Sequence, residues 1–283
     1  MRGTWTFAAP AAAAAAVLVA LPLAAAVAIS FTDYDALTAP RGVGLDNFAA
    51  LWRDDVFRMA LGNSALFIAI VVPLRLLVAV AVGLLVSAPR RGAGAARTAT
   101  ALPTFVPEVV VALLWLWVFN PLYGPLAGAL AAAGLPSAEW LTSAWGARAA
   151  IAVMSAFLVG EAIIVVAAAR NEIPAELYEA AAIEGGSRRH VFRHLTLPLL
   201  APVLIVLAAR DVALSLQATF VPALVLTGGG PEYATTFLPL WAYRNAFEFL
   251  HFGYAAAISV VMLAIAALAA GAAALALRRV RAG

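Results

Sequence analysis

Long apolar runs alternate with short polar ones along this chain, and the apolar runs share one length scale. Residues 8–30, 60–87, 101–119, 147–169, 199–226 and 252–277 are rich in Ala, Val, Leu and Ile and carry few charges. About 20 apolar residues of helix cover the ~30 Å hydrocarbon core of a bilayer. The pattern predicts an all-α membrane protein, a single domain over 1–283 with six transmembrane helices. The first run has a rival reading as a cleaved signal peptide, since Ala26-Val27-Ala28 resembles a cleavage site. It exceeds the usual 7–15-residue apolar core of such peptides, so a retained helix is expected.

Charge gives the spans a direction. Arg2, Arg90, Arg91, Arg97, Arg170, Arg188, Arg189, Arg193, Arg278, Arg279 and Arg281 fall on one side of the alternation. Arg41, Arg53, Arg58, Arg148 and Arg244 fall on the other, with five aspartates between Phe31 and Phe57. The positive-inside rule places the first group, and both termini, in the cytoplasm.

Composition narrows the chemistry. The chain is 65% hydrophobic and 12% charged, far from a soluble globule. There is no cysteine, and the three histidines (His190, His194, His251) are scattered, so a thiolate or histidine metal cluster is not expected. All 18 basic residues are arginine. Without lysine there is no Walker A loop. Any ATP that drives this protein is bound, with its Mg, by another chain, and no cofactor is expected in this one.

The longest polar run between two spans is 170–198. Pro174 suits a helix start, and Glu176 and Glu179 suit the early turns, where the dipole favours anions. Ala180–Ala182 favour helix. Gly185 and Gly186 offer a left-handed stop, and Ser187 can cap a second helix carrying Arg188, Arg189 and Arg193. The segment reads as helix, glycine break, helix. A simple interfacial amphipathic helix is the plainer alternative.

This run resembles the signature of permease subunits of ATP-binding-cassette importers: Glu-Ala-Ala, three residues, Gly, nine residues, Ile, one residue, Leu-Pro. Glu179, Ala180, Ala181, Gly185, Leu197 and Pro198 match in register; Leu195 replaces Ile, and Glu184 stands where Asp is usual. A second stretch, Thr227-Gly228-Gly229-Gly230-Pro231 with Thr235, Thr236, Tyr243, Phe247 and Gly253-Tyr254-Ala255-Ala256-Ala257, is similar to maltose- and glycerophosphate-type permeases. Gly44-Leu45-Asp46-Asn47-Phe48 and Asn63 also echo the family. A Gly-rich phosphate cradle is the other reading of Gly228–Gly230, though no strand precedes it. In physical terms these glycines and Pro231 break a helix and let backbone come close to a partner.

The resemblance covers essentially the whole chain and implies a type I importer permease, the first of two unlike halves, in the inner membrane of a bacterium. It implies a cytoplasmic coupling helix at Glu179, Ala180, Ala181, Glu184, Gly185, Leu197 and Pro198, docked on ATPase subunits. It further implies a second permease subunit and an extracytoplasmic solute-binding protein as partners, with membrane lipid around them and no nucleic acid. The function implied is import of a carbohydrate or related solute by alternating access.

Ionisable groups at bilayer depth are costly and mark candidate functional positions. They are Arg75, Glu108, Glu161, Arg210 and Asp211. Interhelical ion pairs are the plainer reading. The sharper one is a polar path with Asp211, Gln217, Thr219, Phe220 and Glu161 as its solute-facing groups. An ion-coupled secondary transporter using Glu161 or Asp211 is the alternative from a different class. A membrane enzyme stands third, with few nucleophiles or bases to serve it.

Overall fold

A computed structural model describes residues 10–11, 13–88, 92–136 and 139–282. The start of the first apolar run, Arg2, Arg90, Arg91, Ser137 and the side chain of Arg281 lie outside what it describes.

The described chain is helical apart from a two-rung antiparallel ribbon, β1 (Thr32–Asp33) with β2 (Arg41–Gly42). Three unbroken helices are long and apolar enough to cross a membrane: α3 (Asp55–Ser87), α10 (Arg188–Thr227) and α12, which is long and apolar over Phe252–Val280 and continues to Ala282. Two further candidates are bent pairs. One joins α4 (Ala93–Phe105) to α5 (Glu108–Val118) at 97°, the other α7 (Ala144–Phe157) to α8 (Gly160–Asn171) at 45°. A shorter apolar helix, α1 (Ala13–Ile29), precedes them. Four small helices complete the order: α2 (Asp46–Arg53), α6 (Pro125–Ala132), α9 (Ala175–Ile183) and α11 (Leu238–Tyr243, running on as a π turn Arg244–Glu248).

Two expected spans therefore need correction. Residues 101–119 are not one straight helix: Val106, forced extended ahead of Pro107, ends the first arm, and Pro107 caps the second. Residues 147–169 are interrupted at Leu158 and Val159. The second span begins earlier than expected, at Asp55, because the Asp54 carboxylate caps the Val56 amide at 2.8 Å.

Three buried clusters lie along α3, a helix of 33 residues and roughly 50 Å. Phe57 packs with Leu238 and Ile258. Phe67 and Val71 pack with Ile151, Met154 and Phe237. Ala79 and Val86 pack with Ile163, Val166 and Leu200. Elsewhere large apolar side chains face outward, Leu77, Leu85 and Leu268 being 68%, 66% and 74% exposed. This inverts the soluble pattern, as a lipid-facing surface requires.

The end of α1 and the starts of α2 and α12 meet around Asn47 and Gly253. Asn47 donates to the carbonyls of Ser30 and Thr32 at 2.8 and 2.9 Å. Gly253 lies so close to Thr32 that a Cβ there would sit 1.9 Å from its carbonyl oxygen. Backbone cannot yield as a side-chain tip does, so Gly253→Ala is expected to cost about 1–3 kcal/mol. Gly271, on the same helix with nothing within 4 Å, should accept Ala with no loss. Thermal unfolding of the two purified variants checks this; equal midpoints would refute the packing role of Gly253.

Candidate functional site

Three places collect the chain's polar chemistry. The first is the knuckle after α8. Pro174 precedes α9 as its cap, in extended conformation, instead of lying in its first turn. The helix ends as the glycines demand: Gly185 has φ +76°, its amide donates to Ala182, and the Gly186 amide donates to Ala181 at 2.9 Å. The Ser187 hydroxyl caps the His190 amide at 3.3 Å, and α10 starts there. Glu179, Ala180, Glu184 and Gly185 are exposed, and Ala181 is half-buried. Leu177 and Ile183 are 42% and 88% exposed. Leu197 and Pro198 stand apart from the knuckle, inside α10 beyond a π turn over Phe192–Thr196. The knuckle is nonetheless fastened on both sides. Arg170, at the end of α8, lies 3.9 Å above the Tyr178 ring, and the Tyr178 hydroxyl meets Thr196 of α10 at 3.1 Å.

The second place is a cavity of about 160 Å³ lined by Arg75, Glu161, Arg210, Asp211 and apolar neighbours. Arg75 of α3 donates to Asp211 at 2.7 Å and to the Ser155 carbonyl of α7 at 2.9 Å. That carbonyl also accepts the Leu158 amide at 3.2 Å, at the end of α7. The other Asp211 oxygen is buried without a partner. Arg210 pairs with Glu161 at 2.5 Å, both well exposed. Asp211 lies twelve residues beyond Leu199, roughly 18 Å into the span. The structure therefore brings Asp211 and Glu161 together and separates them from the other expected path residues. Gln217 is exposed outside this cavity. Thr219 is buried and bonded back to the Ser215 carbonyl at 3.2 Å. Phe220 lines a different, apolar cleft, with its ring 5.0 Å from Tyr243. Glu108 opens α5 and does not line the charged cavity. Glu161 and Asp211, the carriers an ion-coupled mechanism would use, are each bound to an arginine.

The third place is the glycine-rich turn. Gly228 and Gly229 are left-handed (φ +57° and +85°), and the turn folds inward. Thr236 donates to the Gly229 carbonyl, Thr235 to Gly230 and Arg244 to Gly228, at 2.9, 2.8 and 2.7 Å. Asn63 of α3 holds the carbonyls of Tyr233 and Thr236, and Arg148 of α7 holds Asn63 and the Ala234 carbonyl. The close approach that glycine allows is to this chain's own Thr236 and Leu240. Beside it, one Asp54 oxygen accepts from Trp241 and from the Tyr254 hydroxyl at 2.9 and 2.6 Å. Sequence reasoning missed this trio; its single signal was an acid directly before an apolar helix.

Comparison with known proteins accords with this geometry. Residues 76–282 match the family described as binding-protein-dependent transport system inner membrane component. The diacetylchitobiose uptake system permease protein NgcF of Streptomyces coelicolor is 35% identical over 244 residues, 79% of this chain and 67% of that one. The sulfoquinovosyl glycerol transport system permease protein SmoG of Agrobacterium fabrum is 30% identical, covering 83% and 78%. Among solved structures, a bacterial ABC transporter that imports the acidic polysaccharide alginate superposes with a TM-score of 0.78, at 22% identity over 95% of this chain and 94% of that one. That likeness is one of fold.

The buried pair sets a test. Asp211→Asn leaves the Arg75 charge uncompensated, a loss of roughly 3–5 kcal/mol, and should reduce the yield of folded protein. Gln217→Ala, on an exposed side chain, should stay within about 0.5 kcal/mol. Fluorescence-detected gel filtration with a thermal ramp compares them; equal stability would show that the Arg75–Asp211 pair does not hold the fold.

Proposed function

This chain belongs to the family of binding-protein-dependent transport system inner membrane components, and from that premise we propose that it is the first-half permease of an importer for a carbohydrate or polyol-type solute. The observation that carries the reading is the α9 knuckle. Its Glu-Ala-Ala…Gly residues are exposed, its glycine break is formed, and it is fastened to both α8 and α10. An exposed helix with Ile183 almost fully uncovered suits a cleft in another protein. We assign that protein as a cytoplasmic ATPase pair, which holds ATP and Mg; this chain, with no lysine, supplies no such site. A second, unlike permease subunit and an extracytoplasmic binding protein complete the assembly.

The solute class is drawn from the relatives. Diacetylchitobiose and sulfoquinovosyl glycerol, the solutes in their names, are both polyhydroxylated. The unpartnered Asp211 oxygen at the charged cavity supports the same class, since a carboxylate accepts hydrogen bonds from hydroxyls. Glu161 shares that cavity. Gln217, further along α10 on an exposed face, is kept as a contact for solute arriving from outside. The packing of Thr219 and Phe220 within the chain argues that both are scaffold.

Coupling is tested at the knuckle. Proline cannot adopt φ +76°, and Glu179→Lys reverses charge on the exposed face. Gly185→Pro and Glu179→Lys should each insert normally yet lose more than about ten-fold in uptake, a change worth only ~1.4 kcal/mol of coupling. Uptake and ligand-stimulated ATPase at native levels in both would remove the docking role. The orientation is tested separately. Tags at both termini and at Ser187 should be protected from an impermeant external reagent, and tags at Asp46 and Glu232 should be labelled. Labelling at Ser187 would reverse the topology.

A further inference from the structure

Arg210 and Asp211 are consecutive on α10, yet they bind opposite sides of the same bend. Asp211 reaches α7 through Arg75, whose Nε holds the Ser155 carbonyl ahead of the break. Arg210 reaches Glu161, in the first turn of α8 after the break. Leu158 and Val159, the two residues between the helices, have ψ of 30° and 3°, and the Leu158 amide turns back to the Ser155 carbonyl at 3.2 Å at the 45° bend. The charged cavity is lined by these residues too, with Leu158, Val159, Glu161 and Ala162 on one wall and Leu207, Arg210, Asp211 and Leu214 on the other.

The two pairs differ in strength. Arg75 and Asp211 are 12% and 18% exposed, whereas Arg210 and Glu161 are 43% and 60% exposed. A pair that opens onto a cavity is the more readily exchanged; a buried one is hard to part. The bend is thus held firmly on the α7 side and loosely on the α8 side. α10 is continuous from Arg188, at the knuckle, to Thr227. Arg210 stands 22 residues from Arg188, roughly 33 Å along that rod.

We propose that Arg210 and Asp211 clamp the α7–α8 bend through Glu161 and Arg75, and that the Arg210–Glu161 side releases when α10 is displaced at its foot, opening the bend and widening the cavity. In this arrangement Glu161 and Arg210 are positioning residues: they set the angle of the wall that solute passes. The inference rests on the reading of the knuckle as the point where ATP-driven motion enters.

The chain has no cysteine, so paired spin labels can be placed in it without background from this chain, once its partners are freed of reactive thiols. Ala149→Cys on α7 and Ala168→Cys on α8, both exposed, report the bend in the assembled transporter in lipid nanodiscs. The label distance should differ between nucleotide-free and ATP-trapped states. Glu161→Gln and Arg210→Gln should each shift the nucleotide-free distribution toward the trapped one and raise ATPase without loaded binding protein by about two- to five-fold. The double neutral variant should match either single variant, because one broken pair cannot break twice. Glu161→Arg with Arg210→Glu should return both readouts toward native. The clamp is overturned if the native distance is the same in both states, if the single variants leave distance and unstimulated ATPase unchanged, or if the effects of the two neutralisations add. Failure of the import reading looks different: loaded binding protein would then not stimulate the native ATPase at all, while the nucleotide-dependent distance would still be read.

Discussion

An arginine at bilayer depth has to be answered from within the protein, and the way Arg75 is answered organises the membrane half of this molecule. Its guanidinium spans three helices: it sits on α3, donates to a carboxylate on α10 and donates to a main-chain carbonyl of α7. At the end of α7 that carbonyl keeps a turn bond from the Leu158 amide, and its second lone pair is open to the guanidinium. The helix break and the buried arginine thus satisfy one another. Remove Arg75 and Asp211 would lose its guanidinium partner in an apolar setting, while the Ser155 carbonyl would keep only the Leu158 amide. The packed residues around them, Val71 and Met154 above and Ile163 and Leu207 below, depend on that junction being closed.

The end by the glycine-rich turn follows the same logic with amides, hydroxyls and further charged side chains. A helix that stops at Thr227 and a chain that turns back at Pro231 leave carbonyls unpaired. Asn63, Arg148, Thr235, Thr236 and Arg244 meet them. Asn47 does the same for the end of α1, and Asp54 collects the polar tips of Trp241 and Tyr254. Each of these side chains sits at a helix terminus or beside one. Polar residues near the membrane are placed where the backbone runs out of its own partners.

Much of this was legible in the chain. Apolar run length located α3, α10 and α12, and the spacing of Gly185, Gly186 and Ser187 described the knuckle closely, because capping is decided by residues within one turn of each other. The bends were harder. Pro107 explains the bend in the third run, but Leu158 and Val159 are ordinary helix residues, and Arg75, which meets the Ser155 carbonyl just before their break, lies 80 positions from it in the chain. The partner of Asp211 was one of several arithmetic possibilities until α3 and α10 were placed side by side. Gln217, Thr219 and Phe220 follow Asp211 within nine residues, yet 100° per residue carries them to different faces, and only the packing of α11 and α12 determines what each face meets. Proximity in sequence predicted a shared site; helical geometry divided it.

The same geometry explains why α10 is suited to joining two distant places. A helix transmits displacement only if its hydrogen-bond ladder is unbroken over the distance concerned, and α10 carries three prolines, Pro198, Pro202 and Pro222, that each remove a donor. Pro198 and Pro202 lie near its knuckle end, just after a π turn that lets the helix absorb the misfit locally, and Pro222 lies near the opposite end. From Val203 to Ala218 no proline interrupts the ladder, and this is the stretch that holds Arg210 and Asp211. The compliant part of the rod is therefore next to the knuckle, where Tyr178 and Arg170 brace it from the side, and the stiff part faces the cavity. A movement admitted at the foot would reach the two charges as a displacement of the whole upper segment. The bend of α7 and α8, held by those charges and by the Leu158–Ser155 turn bond, is the element with the freedom to answer it.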